Sequence, residues 1–317
     1  MTAIQTTTMN VKPSTMKAIQ ATGYGKADVL ELREVDRPSP KANEVLVQVA
    51  AASATKADTM MLTGKPYFAR LFIGLTKPKQ ATPGTGFAGT VVAVGEEVSK
   101  FQVGDQVFGE TAFRFSSNAE YLTLEEDGVI LPLPEGLPMH EAATFCDGHL
   151  TSYNFLKELA NVQPGQRVLI NGASGALGTA AVQIAKALGA HVTGVASSIN
   201  TGLVKSLGAD EFINYTVEDF TTRWDSYDVI YDTIGKSSFS KSRKALKADG
   251  KYLSPVLSLG LLLQMMRTSL IGNKKAIFEY PNCFLTTAIL VGQKAANRGD
   301  TTLIHANAPA LTGPCIF

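Results

Sequence analysis

The feature that most constrains this chain is a glycine-rich turn between two apolar runs. The first run ends at Asn171, and the second covers His191 to Ala196. The turn reads Gly-Ala-Ser-Gly-Ala-Leu-Gly over residues 172–178, and an alanine-rich helical pattern follows over 179–188. A strand, a tight glycine turn, a helix and a second strand form the unit that binds the pyrophosphate of a dinucleotide. The sequence therefore predicts a nucleotide-binding parallel sheet.

The three glycines of the turn are predicted to have separate roles. Gly172 makes the turn, Gly175 lets the backbone approach a phosphate, and Gly178 lets the helix pack closely on the strand. Backbone N–H groups and the positive end of the helix dipole then face the phosphates. We expect the whole turn to contact the cofactor, that is Gly172, Ala173, Ser174, Gly175, Ala176, Leu177 and Gly178.

Length and composition narrow the class of protein. The chain has 317 residues, a net charge of +1, and three cysteines too scattered for a disulfide framework or a CxxC zinc pair. The balanced charge gives no reason to expect nucleic acid or an acidic membrane surface as a partner. Residues 1–15 lack the apolar block of a signal peptide, and no apolar stretch is long enough to span a bilayer. We expect a cytoplasmic protein with a disordered tail over residues 1–15.

The segments on the two sides of the glycine turn differ in character. Before it, short β-rich runs separated by turn residues lie at 45–49, 89–94, 106–108 and 129–131, and two short helices are expected at 137–146 and 151–159. After it, the pattern predicts helices at 201–207 and 238–246 and strands at 211–214, 227–231, 250–253 and 275–278. Strands that alternate with helices indicate a doubly wound α/β fold with both sheet faces covered.

Five segments are characteristic sequence motifs, namely Met16-Lys-Ala-Ile19, Pro83-Gly-Thr-Gly-Phe-Ala-Gly89, Val162-Gln-Pro-Gly165, Leu207-Gly-Ala-Asp210 and Tyr227-Asp-Val-Ile-Tyr-Asp232. In this order they resemble the medium-chain dehydrogenase/reductase superfamily, specifically its zinc-free quinone oxidoreductase-like branch. The resemblance implies an N-terminal GroES-like β-rich substrate domain over residues 16–133. It also implies a Rossmann NADP-binding domain over residues 134–279.

The zinc-ligand positions of the metal-dependent members are altered in this chain. Those members use a Cys and a Gly-His-Glu segment, whereas the corresponding places here read Ala54-Thr55-Lys56 and Gly84-Thr85-Gly86. Zinc needs thiolate, imidazole or carboxylate ligands. We therefore expect no metal site, and a hydride acceptor that stabilises negative charge itself, such as a quinone or an enone.

The resemblance also assigns individual residues to the site. Thr151 matches a segment that lines the nicotinamide side, Tyr215 is placed against the adenosine end, and Asp232 ends a strand at the cofactor edge. Asp58 matches the pattern of the branch and is a candidate catalytic residue. Tyr67 is a candidate proton donor or a wall of the substrate cleft, with simple packing as the alternative.

The residues after the second strand of the nucleotide unit indicate the cofactor. An NAD site needs an acidic residue about 20 positions after the glycine turn. Here the strand ends in Ala196 followed by Ser197 and Ser198, and the first carboxylate after Gly172 belongs to Asp210. Hydroxyls can donate to a 2′-phosphate, so we expect NADPH, with Ser197 and Ser198 in contact with it.

Together these observations predict a zinc-independent oxidoreductase, a homodimer, that transfers hydride from NADPH to a quinone or an α,β-unsaturated carbonyl. Two alternatives stay open: a metal-free NADP-dependent alcohol or aldehyde reductase, and a non-catalytic nucleotide-binding protein. Residues 280–317 lack the helices and strand with which the family returns to its substrate domain. We expect this atypical C-terminal segment to be poorly ordered and to reduce activity.

Overall fold

An antiparallel sheet and a parallel sheet organise the chain, and a long helical segment lies between them. The computed structural model describes residues 14–65, 67, 70–111, 114–256 and 258–278. Residues 1–13 of the expected tail and the expected atypical segment 280–317 lie outside this part of the chain, so both expectations stay predictions.

The first sheet is built from the N-terminal part of the chain. Its strands and their neighbours are β1 (Thr15–Ala21), β2 (Leu30–Asp36), β3 (Glu44–Ala52), β4 (Gly86–Val94), β5 (Gln106–Glu110), β6 (Tyr121–Glu125) and β7 (Val129–Pro132). Strands β6, β3, β4, β5 and β7 form one antiparallel sheet in that order, while β1 pairs with β2. Alternate residues point inward, and Val45, Val47 and Phe87 are fully buried. The strands predicted at 45–49, 89–94, 106–108 and 129–131 are confirmed.

A short helix, α1 (Lys56–Thr63), follows β3 and was not predicted. Its first turn is a capping box, in which the Thr55 side chain and the Asp58 side chain each accept a hydrogen bond from the other residue's backbone N–H. The helix ends at Gly64, whose φ of +60° suits a residue without a side chain. A second short helix, α2 (Arg70–Ile73), follows.

The second sheet is parallel and carries the glycine turn. Its strands are β8 (Arg167–Asn171), β9 (His191–Ala196), β10 (Glu211–Asn214), β11 (Tyr227–Asp232), β12 (Leu246–Leu253) and β13 (Lys275–Ile277). They are ordered β10-β9-β8-β11-β12-β13, so the strand order reverses next to β8. In such sheets, ligands bind at the carboxyl ends of the strands beside this switch point.

Helices cover both faces of the parallel sheet. They are α5 (Ala176–Ala187) and α6 (Thr201–Ser206), and then α7 (Phe239–Ser242) and α8 (Leu259–Leu270). Ala181 and Val204 belong to the core on one face, and Phe239 and Leu261 belong to the core on the other. The doubly wound fold predicted from the alternation is confirmed.

Two helix predictions need correction, and a third helix was missed. Helix α5 begins at Ala176 rather than at 179, because Gly175 already takes the extended N-cap conformation. Helix α7 ends at Ser242 rather than at 246, because Leu246 pairs with Tyr227 as the first residue of β12. Helix α8 was not predicted, although apolar residues recur in it at helical spacing.

The segment between the sheets is a continuous helical stretch over residues 139–159, which we call the bridging helix. It consists of α3 (Met139–Phe145), a π-helical turn (Cys146–Leu150), α4 (Thr151–Tyr153) and a second π-helical turn (Asn154–Leu159). The two helices predicted at 137–146 and 151–159 are thus joined. Cys146 and Leu150 pack on Ala88 and Phe108 of the antiparallel sheet, while Leu156 lies in the core of the parallel sheet. The bridging helix therefore belongs to both cores.

Candidate active site

The glycine turn places Gly172 directly after β8 in a conformation that favours glycine. Its φ is +84°, and a Cβ there would lie 2.6 Å from Thr233 Oγ1 and 2.7 Å from Ile234 Cγ2. The N–H groups of Gly172 and Ala173 both lie 3.0 Å from Val195 O, which fixes the turn against β9. The turn is therefore closely packed on its protein side.

Gly178 and Gly175 differ in what surrounds them. A Cβ at Gly178 would lie 2.0 Å from Gly172 O, so only glycine lets α5 approach the turn this closely. A Cβ at Gly175 would meet only Gly172 O, at 3.5 Å, and Gly175 is exposed. The backbone is therefore accessible to a ligand at Gly175, whereas at Gly178 it is covered by the turn itself.

The open residue Gly175 is also the N-cap of α5. Because glycine has no side chain, it offers no oxygen to the first N–H groups of this 12-residue helix. Ala176 is exposed beside it, whereas Ser174 and Leu177 are half-buried and Ala173 is buried. An uncapped helix N-terminus with exposed backbone suits a phosphate group, so this turn fits the pyrophosphate of a dinucleotide.

The residues expected at the adenosine end lie at the carboxyl ends of β9 and β10. Asn214 pairs with Ala196, and Tyr215 N–H lies 3.4 Å from Ala196 O, so Tyr215 and Ser197 share one edge of the sheet. Tyr215 and Ser198 are exposed, and Ser197 is half-buried with its Oγ 3.0 Å from Asn200 Nδ2.

Asp210, the first carboxylate after the turn, lies at the opposite end of these strands. It accepts from Lys186 Nζ at 2.8 Å and from the N–H of Val192 at 2.6 Å. It is therefore committed to a structural ion pair at the amino ends of β9 and β10. The edge with Ser197 has no carboxylate from residues 173–209.

Asp232, expected to contact the cofactor, is fully buried at the end of β11. Its carboxylate accepts from Asn171 Nδ2 at 2.9 Å, Tyr252 Oη at 2.9 Å and Ser237 N–H at 2.8 Å. The Ser254 hydroxyl donates to its backbone oxygen at 3.1 Å. We call this set the Asp232 knot; it ties the carboxyl ends of β8, β11 and β12. The buried carboxylate therefore holds the strand ends in place through hydrogen bonds. The sequence did not indicate this role.

The bridging helix brings Thr151 close to the glycine turn. The neighbouring Ser152 Oγ donates to Leu177 O at 2.9 Å, and a Cβ at Gly148 would lie 2.8 Å from Ala176 O. The bridging helix is thus in direct contact with the first turn of α5. Thr151 itself is half-buried at this contact.

His149, which follows Gly148 in the π-helical turn, is held by its own helix. Its Nδ1 lies 3.2 Å from Phe145 O, and its ring stacks on the Phe145 ring with centroids 4.2 Å apart. Burial lowers the pKa of His149 to about 4. The imidazole is therefore neutral near pH 7.

The two candidate catalytic residues, Asp58 and Tyr67, have different surroundings. The Asp58 carboxylate accepts from Thr55 N–H at 2.7 Å, from Thr55 Oγ1 at 3.1 Å and, through its other oxygen, from Gly84 N–H at 3.0 Å. It therefore holds α1 against the loop before β4. The Thr-x-x-Asp spacing was a local signal for this cap that the sequence reading overlooked.

Tyr67 is exposed and lies beside cationic groups. The guanidinium carbon of Arg70 is 4.9 Å from its ring centroid and 4.2 Å from the ring centroid of Tyr24. Arg70 also donates to Gly64 O and Thr63 O, both at 3.1 Å. Arg70 therefore packs Tyr67 against the end of α1, a contact that the sequence did not indicate.

The described residues contain no group of three or more His, Cys, Asp or Glu side chains arranged to hold a metal ion. They also contain no helix that is long and apolar enough to cross a membrane.

Comparison with known proteins finds two domain families along the chain. Residues 41–153 match the alcohol dehydrogenase GroES-like domain, and residues 176–271 match the family described as zinc-binding dehydrogenase. The chain is 37% identical over 265 residues to the 2-methylene-furan-3-one reductase of Solanum lycopersicum, covering 79% of this chain and 65% of that protein. It is 31% identical over 247 residues to the quinone oxidoreductase of Homo sapiens, covering 75% and 72%.

A solved structure extends the likeness to the whole fold. The quinone oxidoreductase from Coxiella burnetii superposes with a TM-score of 0.78 at 28% identity, covering 89% of this chain and 88% of that one. The match to the tomato reductase spans less than two thirds of that relative's length. The chain belongs to the medium-chain dehydrogenase/reductase superfamily, in its quinone oxidoreductase-like branch.

Proposed function

We propose that this protein transfers hydride from NADPH to a quinone or an α,β-unsaturated carbonyl without a zinc ion. The observation that carries the proposal is the open, uncapped N-terminus of α5 at Gly175, followed along the chain by the hydroxyls of Ser197 and Ser198 with no carboxylate among residues 173–209. The first feature fits a pyrophosphate and the second fits a 2′-phosphate.

The residues that would hold NADPH follow from this arrangement. The turn over residues 172–178 receives the pyrophosphate at the first N–H groups of α5, and Ser197 and Ser198 donate to the 2′-phosphate. Tyr215 lies against the adenine, and Thr151 contacts the nicotinamide side. The Asp232 knot keeps the strand ends in place beneath the cofactor. When bound, the reduced nicotinamide supplies the hydride.

The names of two relatives support the acceptor class. A 2-methylene-furan-3-one contains a carbon–carbon double bond conjugated to a carbonyl, and a quinone contains the same unit in a ring. Both stabilise the negative charge that hydride addition creates, so a metal ion is not needed for this step. The protein then has to orient the acceptor, exclude water and hold a proton donor.

We infer two different roles for the candidate catalytic residues. Asp58 is a positioning residue, because three donors already occupy its carboxylate. Tyr67 is exposed at the rim of the β-rich domain, where its hydroxyl can donate to the developing oxyanion, and water is the other proton source. Because the His149 imidazole is neutral near pH 7, it places no positive charge on the bridging helix.

The decisive experiment measures turnover of NADPH and NADH with a panel of quinones, enones, aldehydes and alcohols. We expect NADPH to be used with quinones or enones, and a chelator to leave the rate unchanged. Reduction of simple aldehydes alone would favour the metal-free alcohol or aldehyde reductase. NADPH binding without turnover would favour a non-catalytic protein. Stoichiometric zinc whose removal abolishes turnover would contradict the proposal.

A single substitution tests the cofactor assignment. Ser197→Asp places a carboxylate where the 2′-phosphate is expected, so preference should move from NADPH to NADH by about tenfold or more. Ser206→Asp, on the exposed side of α6, is the matched control and should leave the preference unchanged. The predicted homodimer and cytoplasmic location stay predictions.

A further inference from the structure

Helix α8 presents its most apolar side outward. Leu259, Leu263, Met266 and Leu270 follow one another at helical spacing and are 66–85% exposed. With the partly exposed Leu262 they form what we call the outer face of α8. The inward side instead carries Leu261 and Thr268, which are buried. A helix with this distribution leaves a contiguous apolar surface that none of the described residues covers.

Charge is strongly segregated toward this part of the chain. Residues 236–278 contain nine Lys or Arg and one acidic residue, a net charge of +8. The rest of the chain contains 20 basic and 27 acidic residues, a net charge of −7. The balanced overall charge, which gave no reason to expect an acidic surface as partner, therefore conceals a basic segment of the chain that includes α8.

A cleft beside the C-terminal half of α8 collects part of this charge. It has a volume of about 420 Å³ and is lined by Arg243, Arg267 and Lys274, with Ile271 at its apolar side. No carboxylate is among its described lining residues. The cleft therefore combines cationic groups with an apolar residue, Ile271, that directly follows Leu270 of the outer face.

Backbone carbonyl oxygens hold two of the lysines in this region. Lys274 Nζ donates to Arg243 O at 2.9 Å and to Leu246 O, and Lys275 Nζ donates to Gly272 O at 3.0 Å. These partners are carbonyl oxygens and not carboxylates. Among the ion pairs of the described residues, only Lys247, with Asp228 at 2.8 Å, involves one of the nine cations.

We propose that α8 docks on the surface of an anionic phospholipid bilayer. The outer face enters the boundary between headgroups and acyl chains, and the cleft with Arg243, Arg267 and Lys274 receives headgroup phosphates. An apolar helical stripe flanked by cations is the pattern of a helix that lies in a membrane interface. With 12 residues, α8 is too short to span a bilayer, so it lies in the interface plane. A nucleic acid fits less well, because phosphate contacts leave the stripe of large aliphatic side chains uncovered.

The test is sedimentation of the full chain with vesicles of phosphatidylcholine and with vesicles of an equal mixture of phosphatidylcholine and phosphatidylserine. We expect binding to the mixed vesicles only, weakening as salt is raised. Leu263→Glu should reduce the partition coefficient at least about tenfold. Arg267→Gln should reduce it about fivefold. The matched control is Leu32→Glu, because Leu32 is as exposed as Leu263 (65% against 66%) but lies on β2.

Each result decides the proposal. Binding that needs both Leu263 and Arg267, with circular dichroism and NADPH affinity of every variant unchanged, supports it. Absence of binding by the unmodified protein overturns it. A change of Leu263→Glu from dimer to monomer in light scattering, without vesicle binding by the parent, assigns the face to a second copy and overturns it. Equal competition by inorganic phosphate assigns the cleft to a free anion and also overturns it.

Discussion

Gly175 and Gly178 are three residues apart, and different physical constraints act on them. Gly178 is required by the fold, because any side chain would collide with the oxygen of Gly172. Gly175 has space for a methyl group and a φ of −82°, which alanine adopts readily. The fold therefore does not require glycine at position 175, and we attribute this residue to a ligand that approaches the backbone from solvent.

This difference can be measured with two alanine variants. Gly178→Ala should reduce the free energy of unfolding by about 1–3 kcal/mol, since the helix must move away from the turn. Gly175→Ala should change it by less than about 0.5 kcal/mol, yet weaken NADPH binding about tenfold by blocking the backbone. Urea unfolding and NADPH fluorescence titration check both. Equal effects of the two variants on stability and on binding would contradict the assignment.

His149 makes stability depend on pH. Its pKa in the folded protein is about 4, against about 6.5 when unfolded, so between these values the unfolded state binds a proton that the folded state does not. The contribution of the neutral His149 to the free energy of unfolding is therefore fully present above about pH 6.5 and is lost as pH falls toward 4. Between about pH 7 and pH 5 the loss should be about 2 kcal/mol.

The variant His149→Gln should remove most of this loss, as measured by urea unfolding at the two pH values. His140→Gln is the matched control, because His140 is exposed on the same bridging helix. A pH dependence that survives in His149→Gln, or disappears in His140→Gln, would show that another group is responsible.

At the scale of elements, the bridging helix sets the distance between the β-rich sheet and the cofactor turn. Its π-helical turn at Cys146–Leu150 widens the helix where Gly148 meets Ala176 O. Such turns are frequent at functional sites. The helix also carries Thr151 one turn further on, so a displacement here moves a residue that we place at the nicotinamide.

Gly148→Ala should displace the bridging helix from α5, because its Cβ would lie 2.8 Å from Ala176 O. We expect kcat to fall roughly tenfold, since small displacements of positioned groups are costly to catalysis. Steady-state kinetics measure this. The control is Gly202→Ala in α6, where a Cβ meets nothing within 4 Å and stability should be equal or up to about 1 kcal/mol higher. An unchanged kcat in Gly148→Ala would show that the contact has no catalytic role.

Elements with a clear period or a local motif were predictable from sequence. The strands at 167–171, 191–196 and 211–214 matched, because continuous apolar runs end at turn formers. The bridging helix was predicted as two pieces, since Asp147-Gly148 suggests a break that the π-helical turn avoids. The Asp232 knot was not predictable, because its partner Tyr252 is 20 residues away and no local pattern shows that the carboxylate points inward.

At the scale of the whole molecule, the two sheets share the bridging helix, so their stabilities should be coupled. Cys146 and Leu150 pack on the antiparallel sheet and Leu156 on the parallel sheet. The chain has one tryptophan, Trp224, between β10 and β11. Its fluorescence therefore reports unfolding of the parallel-sheet domain alone.

Val91→Ala tests the coupling from the other domain. Val91 is fully buried in the antiparallel sheet, and its truncation should cost about 2 kcal/mol. If the bridging helix couples the domains, the Trp224 transition in urea should shift together with far-ultraviolet circular dichroism. Val217→Ala, an exposed site in the domain of Trp224, is the control and should shift neither. A Trp224 transition unmoved by Val91→Ala would mean that the domains unfold independently.

The Asp232 knot has a consequence for protein engineering. It gathers Asn171, Ser237, Tyr252 and Ser254 into a buried network that uses no residue of the β-rich domain. The cofactor edge is therefore held together within the parallel-sheet domain alone. We expect that the segment 16–133 can be exchanged for that of a relative if the surface beneath the bridging helix is kept. A chimera built this way should inherit a new acceptor range with its original coenzyme, which makes the fold a modular starting point for designed reductases.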